Sequence, residues 1–410
     1  MDNQQTLLSH YERLLNLTHP WKVADIELDT TSMRLAIRVE ALQGKKMPCP
    51  VCQKLCSKED HREERSWRHL DTMQFETIIT CRIPRVSCPD HGILSAKVPW
   101  ADGYSRFTML FESFAVNVLL SAKSIKDAVR ILRVSWDQIH EIQDRAVQRG
   151  LAKRDNEIIE HIGIDEKNFL KGHSYASLLT DLDKGRVLEV VPERTQEAAE
   201  SLLKSLTDGQ KSKIKAVAMD MWPAFMNACK KIIPNSDIVH DKYHVAAYLS
   251  RAVDMVRRKE NNALIKDGSN VLKNTKYIWL TNPENLTKEA KKTFRGLALD
   301  ELKVGRAWSI KESFRHFWNY HYRGAAKGFF QHWYFWATHS KLKPVIDAAK
   351  TIKRHLEGIL AYLKHRITNA VTEGLNSKIQ SIKSNARGFR NFQNYRIAIL
   401  FHCGKLSLHP

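Results

Sequence analysis

The sequence predicts a multidomain α+β protein, and three observations carry this prediction. Two pairs of potential metal ligands, each with two residues between its members, lie in the first hundred residues. Two short helix-like segments preceded by capping serines follow. From about residue 156, strand-like and helix-like patterns alternate. A chain of 410 residues has room for about three domains.

The charge balance of the chain favours a polyanionic partner. The formal net charge is +20 and the isoelectric point is about 9.6, so nucleic acid is the first candidate and an anionic membrane surface the second. The stretch MDNQQTLLSH lacks the basic and apolar regions of a signal peptide, and no apolar run is long enough to cross a bilayer. We therefore expect a cytoplasmic protein with no membrane partner, whose seven cysteines are reduced or bind metal.

The region 1–100 carries the pattern of a zinc ribbon. Its two knuckles, CPVC and CPDH, each offer two ligands at the spacing that suits a tetrahedral structural zinc. The predicted ligands are Cys49, Cys52, Cys88 and His91. Residues 73–83 alternate apolar and polar side chains as a strand does, so we expect two hairpin tips to hold one ion. The alternative is a set of buried cysteines without an ion; Cys56 and Cys81 complete no further knuckle.

Residues 101–155 predict a helix-turn-helix. Ser124 and Ser135 are each placed to cap a helix, and a short Arg-Val-Ser turn joins the two helices. The second helix would present four side chains to a DNA groove, namely Trp136, Gln138, His140 and Arg145. The alternative is an ordinary helical hairpin that links two domains.

Residues 156–260 follow the element order of a ribonuclease-H-like mixed α/β domain. Three antiparallel strands are followed by a helix, a strand, a helix and a strand. In that order the first and fourth strands lie side by side and parallel. We predict that the strand EIIEHIGID ends at Asp165 and that the strand IKAVAMD ends at Asp220. The two carboxylates are then neighbours. Either acid alone would be an ordinary strand-end residue that caps the next turn.

A helix within residues 366–410 supplies a third acid. In the stretch 368–388 an apolar stripe lies on one face, while Glu373, Asn376 and Gln380 share a polar face. Glu373 is the last acid of the chain, and an acid alone in a basic helix indicates a metal site beside a polyanion. The predicted DNA-contacting cations that follow it are Lys378, Lys383, Arg387 and Arg390.

The segment 261–365 is predicted to be a helical insertion in this domain. It holds five of the ten tryptophans, interleaved with Lys, Arg and His. The five rings are those of Trp279, Trp308, Trp318, Trp333 and Trp336. The insertion either stacks on bases and neutralises phosphates, or buries most of these rings in a core of its own.

Five blocks of the sequence carry a family resemblance. GIDE with the downstream KGHSYASLLTDL, then AMDMWPAF, DKYH and TNAVTEGLNSKIQSIKSNARGF, are similar to blocks of the bacterial insertion-sequence transposases of the ISL-three type. Such enzymes join a zinc ribbon and a helix-turn-helix to a ribonuclease-H-like catalytic domain. The resemblance implies the catalytic triad Asp165, Asp220 and Glu373. His91 departs from the family pattern, since it stands in what can be a cysteine position.

The resemblance also implies a function. A DNA transposase of this kind binds the terminal inverted repeats of its own element and cleaves and joins DNA at two Mg²⁺ ions, for which Mn²⁺ can substitute. We expect a bacterial, DNA-associated homodimer or higher homo-oligomer whose partners are the element's ends and target DNA. Two alternatives are a DNA-binding protein derived from such an enzyme, which would have lost at least one acid, and a different metal nuclease on the same fold.

Four polar residues near the triad receive no firm role from the sequence. Glu166 is expected either beside the metal ligands or in solvent, with its side chain pointing away from the ions. His173, Asp241 and His244 lie in the resembling blocks, but their spacing indicates no function.

Overall fold

The computed structural model describes residues 2–154, 157–170, 174–297 and 301–410, so His173 lies outside the described residues. The chain forms two compact units. The first comprises Met1–Ala152 with Ser407–Pro410, and the second comprises Lys153–Leu406. The zinc-ribbon and helix-turn-helix regions thus share one unit, and the ribonuclease-H-like region and the insertion share the other.

The first unit contains a six-stranded sheet built around the two predicted knuckles. Its strands are β1 (Trp21–Asp29), β2 (Arg34–Ala41), β3 (Met47–Pro48), β4 (Leu55–Arg68), β5 (Glu76–Cys88) and β6 (Gly92–Ser95), after a first helix α1 (Asp2–Leu14). The order is β1-β2-β5-β4-β3, with β6 paired to β5. Because the β3–β4 and β5–β6 hairpins are antiparallel and each carries one knuckle in its connection, the expected pair of hairpin tips is confirmed.

Three helices complete the first unit, namely α2 (Met109–Ser121), α3 (Ile125–Leu132) and α4 (Trp136–Ala152). Both predicted caps are confirmed. The Asp127 N–H donates to Ser124 Oγ at 3.3 Å, and Gln138 N–H donates to Ser135 Oγ at 3.2 Å. Arg133 ends α3 in the left-handed conformation, with φ of 55°, which makes the tight turn into α4.

The second unit is organised by a five-stranded sheet. Its strands are β7 (His161–Asn168), β8 (Tyr175–Asp181), β9 (Arg186–Pro192), β10 (Ala216–Met219) and β11 (Asp237–His240). The order is β11-β10-β7-β8-β9. The first three strands form an antiparallel meander, and β10 pairs in parallel with both β7 and β11. The predicted neighbourhood of the first and fourth strands is therefore confirmed.

Helices surround this sheet. Between β9 and β11 the chain forms α5 (Gln196–Lys204), α6 (Asp208–Lys211) and α7 (Pro223–Ile232). The segment after β11 contains α8 (Lys242–Lys266), α9 (Lys276–Leu280), α10 (Lys288–Arg295), α11 (Lys303–Phe314), α12 (Arg323–Thr338), α13 (Lys343–Arg354) and α14 (Leu356–His365). The chain continues with α15 (Ala370–Asn385) and α16 (Phe392–Cys403). A boundary at residue 260 would cut through α8. None of the described helices is long and apolar enough to cross a membrane.

The tryptophans of the insertion belong mainly to its core. Trp279 is fully buried and Trp333 is 3% exposed, while Trp308 and Trp318 are partly buried against the same cluster. Trp336 is 42% exposed. Most of these rings therefore do not stack on bases. A ring that is enclosed by neighbouring side chains has no free face for a base.

The strand β7 is longer than the sequence predicted. We expected it to end at Asp165, but its pairing with β8 continues through Glu166, opposite Ser177, to Asn168, opposite Tyr175. The expectation of a strand-end acid is wrong for Asp165. It was made because the apolar run stops there, whereas the ladder of backbone hydrogen bonds continues regardless of side-chain polarity. Asp220 does follow the last residue of β10, as predicted.

Gly163 lets a helix approach β7 closely. A Cβ atom at this position would lie 2.6 Å from Thr180 Oγ1 and 2.9 Å from Thr372 Oγ1, which is closer than real Cβ contacts. The two threonine hydroxyls are 3.0 Å apart and join β8 to α15 across this gap. The missing side chain thus allows the start of α15 to pack directly on the strand that carries Asp165.

Candidate active site and zinc centre

The four predicted zinc ligands converge at the two hairpin tips. The ligand atoms of Cys49, Cys52, Cys88 and His91 all lie within 4.8 Å of one another. The two sulfurs of Cys52 and Cys88 are 3.7 Å apart, and Cys88 Sγ is 3.6 Å from His91 Nδ1. Two thiolates on a tetrahedral zinc, with Zn–S bonds of about 2.3 Å, are about 3.8 Å apart. The donor set therefore fits a structural zinc, and Cys56 and Cys81 are outside it.

The surroundings of the cluster favour a thiolate. Burial acts to raise the pKa of the Cys88 thiol. The N–H groups of Asp90 and His91 and two neighbouring thiols outweigh this effect, so the pKa is lowered to about 7. Lys54 of one knuckle forms an ion pair with Asp90 of the other. Since the thiolate is the metal-binding form, this arrangement prepares Cys88 as a ligand.

The first two acids of the predicted triad are brought together by strand register. In the parallel pair of β7 and β10, Ala218 lies opposite Gly163. Two residues further along each strand, the same register places Asp220 beside Asp165. The pKa of Asp165 is raised, mainly by burial and to a smaller extent by the charge of Asp220, whereas the N–H of Glu166 and the amide of Asn376 act to lower it.

The helix α15 supports the same carboxylate from the other side. Asn376 Nδ2 donates to Asp165 Oδ2 at 2.8 Å. Glu373 lies three residues earlier on the same face of α15 and is exposed. Among the described residues, the zinc ligands alone form a group of three or more whose ligand atoms lie within 4.8 Å of one another. The carboxylates of Asp165, Asp220 and Glu373 are thus spread more widely around the end of the sheet.

Two oxygens at this site fit a hard divalent cation. Asp220 Oδ1 and Asn376 Oδ1 are both buried and have no hydrogen-bond partner. Buried polar atoms are normally paired, so unpaired oxygens are informative. Mg²⁺ prefers oxygen ligands, and Asp165, which Asn376 contacts directly, supplies further carboxylate oxygen. The chemistry of the donor set therefore suits such an ion.

The Glu166 side chain is 26% exposed and lies on the face of β7 opposite to that of Asp165. Glu166 Oε1 lies 3.7 Å from Arg194 Nη1. The guanidinium group of Arg194 also stacks over the rings of Tyr175 and Trp222. Burial, followed by the charges of Asp220 and Asp165, raises the pKa of Glu166 to about 7. Glu166 is therefore close enough to Asp165 and Asp220 for their charges to act on it, and it is only partly exposed to solvent.

Asp241 and His244 have different surroundings. The carboxylate of Asp241 is buried, caps α8 by accepting from Tyr243 N–H, and also accepts from Asn369 N–H at the start of α15. Asp241 therefore links β11, α8 and α15. His244 lies close enough for its charge to lower the pKa of Asp165.

The predicted DNA contacts of α4 are unequally available. Trp136 is 48% exposed and His140 is half-buried. Gln138 uses its side-chain oxygen to accept from Ser135 N–H at 2.8 Å. Arg145 forms an ion pair at 2.8 Å with Glu112, whose side chain is 4% exposed. Gln138 is thus engaged in capping the start of α4, and Arg145 in joining α4 to α2.

Sequence reasoning missed the cations that α3 exposes. Lys126 is exposed, and the guanidinium-bearing side chain of Arg130 is 81% exposed. The exposed charges of α4 are instead acidic, those of Asp137 and Glu141. The signal lay in the sequence, because Lys126 and Arg130 are four residues apart and share one face of α3.

The predicted cations beyond Glu373 also divide into two groups. Lys378 Nζ donates to the carbonyl of His402 at 2.5 Å, and Lys383 Nζ donates to that of Asn168 at 3.0 Å. These contacts connect α15 to α16 and to the end of β7. Arg387 and Arg390, which follow α15, are exposed.

Comparison with known proteins agrees with this architecture. A family model described as a transposase, that of the ISL3 DDE domain, matches residues 162–399. A zinc-finger model of the transposases IS204/IS1001/IS1096/IS1165 matches residues 45–91, and a helix-turn-helix model of transposase family ISL3 matches residues 96–147. The chain belongs to the ISL3 family of transposases. Its multidomain α+β fold, with zinc ribbon, helix-turn-helix and DDE domain, is that of a polynucleotidyl transferase that binds DNA.

Individual relatives are similar over most of their length. The transposase for insertion sequence element IS1001 of Bordetella parapertussis is 27% identical over 365 residues, which cover 87% of this chain and 88% of the relative. The transposase for insertion sequence element IS1557 of Mycobacterium tuberculosis is 26% identical over 414 aligned positions, which cover 93% and 92% of the two chains. The ISL3 transposase described here thus spans nearly the whole length of both relatives.

Proposed function

We propose that this ISL3 transposase binds the terminal inverted repeats of its own insertion sequence and catalyses Mg²⁺-dependent DNA cleavage and strand transfer. The acids that carry the chemistry would be Asp165, Asp220 and Glu373. The observation that supports this assignment is the proximity of Asp165 to Asp220 and to the helix that bears Glu373. Parallel register puts Asp220 beside Asp165, and the helix that bears Glu373 donates a hydrogen bond to Asp165 through Asn376.

The protein holds Asp165 in a defined orientation. Its Oδ1 accepts from the backbone N–H of Glu166 at 2.8 Å, and its Oδ2 accepts from Asn376 at 2.8 Å. Asp220 Oδ1, buried and unpaired, remains available to a cation. A carboxylate fixed by two donors presents its remaining lone pairs without having to reorganise during the reaction.

The reaction consists of two phosphoryl transfers. Divalent cations held by the three acids would stabilise the charge on the attacking and leaving oxygens. A water oxygen first bonds to the phosphorus at the element's end, and the bond to the 3′ oxygen breaks and leaves a 3′-hydroxyl. That hydroxyl then bonds to a phosphorus of target DNA, and a new 3′-hydroxyl leaves. One P–O bond replaces another in each step, so neither a covalent enzyme intermediate nor an external energy source is needed.

We further propose how the first unit engages DNA. Cys49, Cys52, Cys88 and His91 would hold one structural zinc that fixes the two hairpins. Trp136 and His140 of α4 would approach the bases, and the exposed cations of α3 would contact phosphates. Arg387 and Arg390, exposed just beyond the helix of Glu373, would contact DNA in the second unit.

The test of the active site uses isosteric changes. Asp165→Asn, Asp220→Asn and Glu373→Gln should each abolish cleavage and strand transfer, because each keeps the side-chain volume but removes the charge that holds a divalent cation. Binding of element-end oligonucleotides should stay close to that of the unmodified protein. Because the three acids act as one unit, a double variant should be hardly worse than a single one.

The matched control is Glu357→Gln, an exposed acid of α14 that is paired with Arg323. It should leave strand transfer unchanged. If Glu373→Gln retained full activity while Glu357→Gln lost it, the third acid of the triad would be Glu357 and the proposed role of α15 would be wrong.

A further inference from the structure

An exposed tryptophan lies close to the proposed catalytic acids. Trp222 follows Asp220 by two residues and is 39% exposed. Its indole N–H donates to the carbonyl of Arg194 at 3.3 Å, so the ring is held in one orientation. An indole has a large apolar face that is stabilised when another flat group covers it. A ring that is both fixed and exposed is therefore a surface on which a ligand can stack.

The side chain of Arg194 extends this surface. Its guanidinium carbon lies 4.3 Å from the centroid of the Tyr175 ring and 5.0 Å from that of Trp222. The side chain is 39% exposed, and one of its nitrogens lies 3.7 Å from Glu166 Oε1. Two rings and a carboxylate thus orient the guanidinium plane, which itself stacks well on flat groups. We call Tyr175, Arg194 and Trp222 the stacking platform.

Strand direction puts the stacking platform at the same end of the sheet as the acids. β10 ends at the residue before Asp220, and β9 ends two residues before Arg194. Tyr175 begins β8 and lies opposite the last residue of β7. Because β8 is antiparallel to both β7 and β9, its first residue lies where those strands end. DNA that is bound at Asp165 and Asp220 therefore meets the stacking platform.

The separation between the acids and the stacking platform is that of one or two nucleotides. Two extended residues span at most about 7 Å, which limits the distance between the Cα atoms of Asp220 and Trp222. Successive nucleotides of a stacked strand are about 3.4 Å apart. A phosphate held at Asp220 thus has a neighbouring base within reach of the indole.

The chemistry of the stacking platform favours a base over a phosphate. The faces of aromatic rings carry partial negative charge, which does not attract an anion, and Glu166 already offsets part of the charge of Arg194. A nucleobase has a π face that stacks on both indole and guanidinium groups. Inside a duplex that face is covered by the neighbouring bases, so the base must first leave the stack.

We propose that the stacking platform binds a base that leaves the duplex stack next to the scissile phosphate, and that this contact positions the phosphate at the acids. The inference rests on the proposed function, because it takes the end of the element as the substrate. Trp222 contacts the substrate without touching the reacting atoms. The free energy of stacking is then used to orient the phosphate, so its loss lowers the rate of the bound complex.

The first test measures single-turnover cleavage at saturating DNA. Trp222→Ala should slow cleavage by roughly 10- to 100-fold, as expected for the loss of stacking with one base. Trp222→Phe keeps a ring and should lose less. The matched control is Tyr277→Ala on α9, which removes another exposed ring that lies under a cation, here Lys276, and should leave the rate unchanged.

Oligonucleotides that lack one base distinguish stacking from a structural role of Trp222. The base is removed in turn on each side of the scissile phosphate. On one of these two substrates the unmodified protein should be slowed about as much as Trp222→Ala is on intact DNA, and the variant should be slowed no further. An equal fold loss for Trp222→Ala on intact DNA and on both substrates would show a purely structural role and would overturn the proposal.

A second test is independent of the catalytic assignment. Asp165→Asn, which should bind element ends without cutting them, is irradiated with DNA that carries 5-iodouracil in place of a base beside the scissile phosphate. A crosslink to Trp222 is expected, and none is expected when the label lies one helical turn further into the element. Binding of the ends without a crosslink to the stacking platform would overturn the inference and leave the proposed function intact. A crosslink to Trp222 would support the inference even if the unmodified protein failed to cleave.

Discussion

Asp165 and Glu166 are neighbours in sequence but have different surroundings. The carboxylate of Asp165 faces α15 and is bonded to Asn376, whereas that of Glu166 lies beside Arg194. Alternation along β7 sends the two side chains to opposite faces of the sheet. Both pKa values are raised, chiefly by burial, so the end of this sheet concentrates negative charge in a poorly solvated place. A divalent cation bound there would stabilise the ionised carboxylates.

The first prediction concerns Asn376. Asn376→Ala removes the hydrogen bond to Asp165 Oδ2 and should lower the rate of strand transfer and the affinity for Mn²⁺ by roughly 10- to 100-fold each, as the loss of a residue that orients a metal ligand does. Calorimetric titration with Mn²⁺, together with single-turnover strand transfer, measures both effects.

Gln380→Ala is the control for this change. Gln380 is exposed on α15 one turn further along, so its removal should alter neither quantity. Unchanged Mn²⁺ affinity in Asn376→Ala would mean that Asp165 keeps its orientation without the amide.

At the scale of elements, the two zinc hairpins depend on each other through four side chains. β3 has only two residues and β6 has four, so neither strand can contribute much core of its own. Cys49 and Cys88 are almost fully buried, at 0% and 3% exposed, where they join the core formed around Ile79. Metal binding is therefore expected to contribute directly to the folding of this edge of the sheet.

The second prediction follows from this dependence. Cys88→Ser should lose the zinc and lower the thermal stability of the first unit, because a hydroxyl is a much poorer zinc ligand than a thiolate. Elemental analysis of the purified protein and thermal melts followed by circular dichroism measure the two effects.

Cys81→Ser is a matched control on the same strand. Burial raises the pKa of the Cys81 thiol to about 12, and its sulfur is outside the cluster. This variant should keep its zinc. Full zinc retention by Cys88→Ser would rule out Cys88 as a ligand.

At the scale of the whole molecule, the helix-turn-helix and the proposed catalytic acids belong to different units. The helix-turn-helix and its exposed cations lie within Met1–Ala152, while the three acids lie within Lys153–Leu406. The covalent chain joins the units, but none of the three proposed catalytic acids lies in the first. Defects in binding and in catalysis should therefore be separable.

The third prediction tests this separation. Replacing Lys126 and Arg130 together by alanine should weaken binding of element ends and flatten its salt dependence by roughly one unit of slope for each phosphate that is no longer neutralised. At saturating DNA, the single-turnover cleavage rate should return to that of the unmodified protein, because the active site is intact. Fluorescence anisotropy at several salt concentrations gives the slope.

Lys213→Ala serves as the control, since it removes an exposed lysine of the second unit. This variant should change the salt dependence of DNA binding very little. A cleavage rate that stayed low for the double variant at saturating DNA would contradict the separation and would indicate that α3 also positions DNA for chemistry.

Much of the site was predictable because local patterns specify it. The cysteine knuckles, the serine caps of α3 and α4, and the alternation of strands and helices are short-range signals, and each one is confirmed. Asn376 was placed on the polar face of Glu373 from helical periodicity alone. The hydrogen bond from Asn376 to Asp165 was not predictable, because the two residues are 211 positions apart. Helical periodicity shows which residues share a face of the helix, but not which strand that face packs against.

The sequence by itself determined the order of the elements, the ligand types and the chemistry that they suit, since these follow from residue identity and spacing. Tertiary structure alone decided three things. It extended β7 past Asp165, because backbone pairing continues where side-chain patterning stops. It assigned Arg145 to the buried Glu112, because a charge enclosed in a helical unit requires a partner. It also left Leu110 and Phe114 of α2 about half exposed, because whether an apolar side chain is buried depends on the surfaces that surround it.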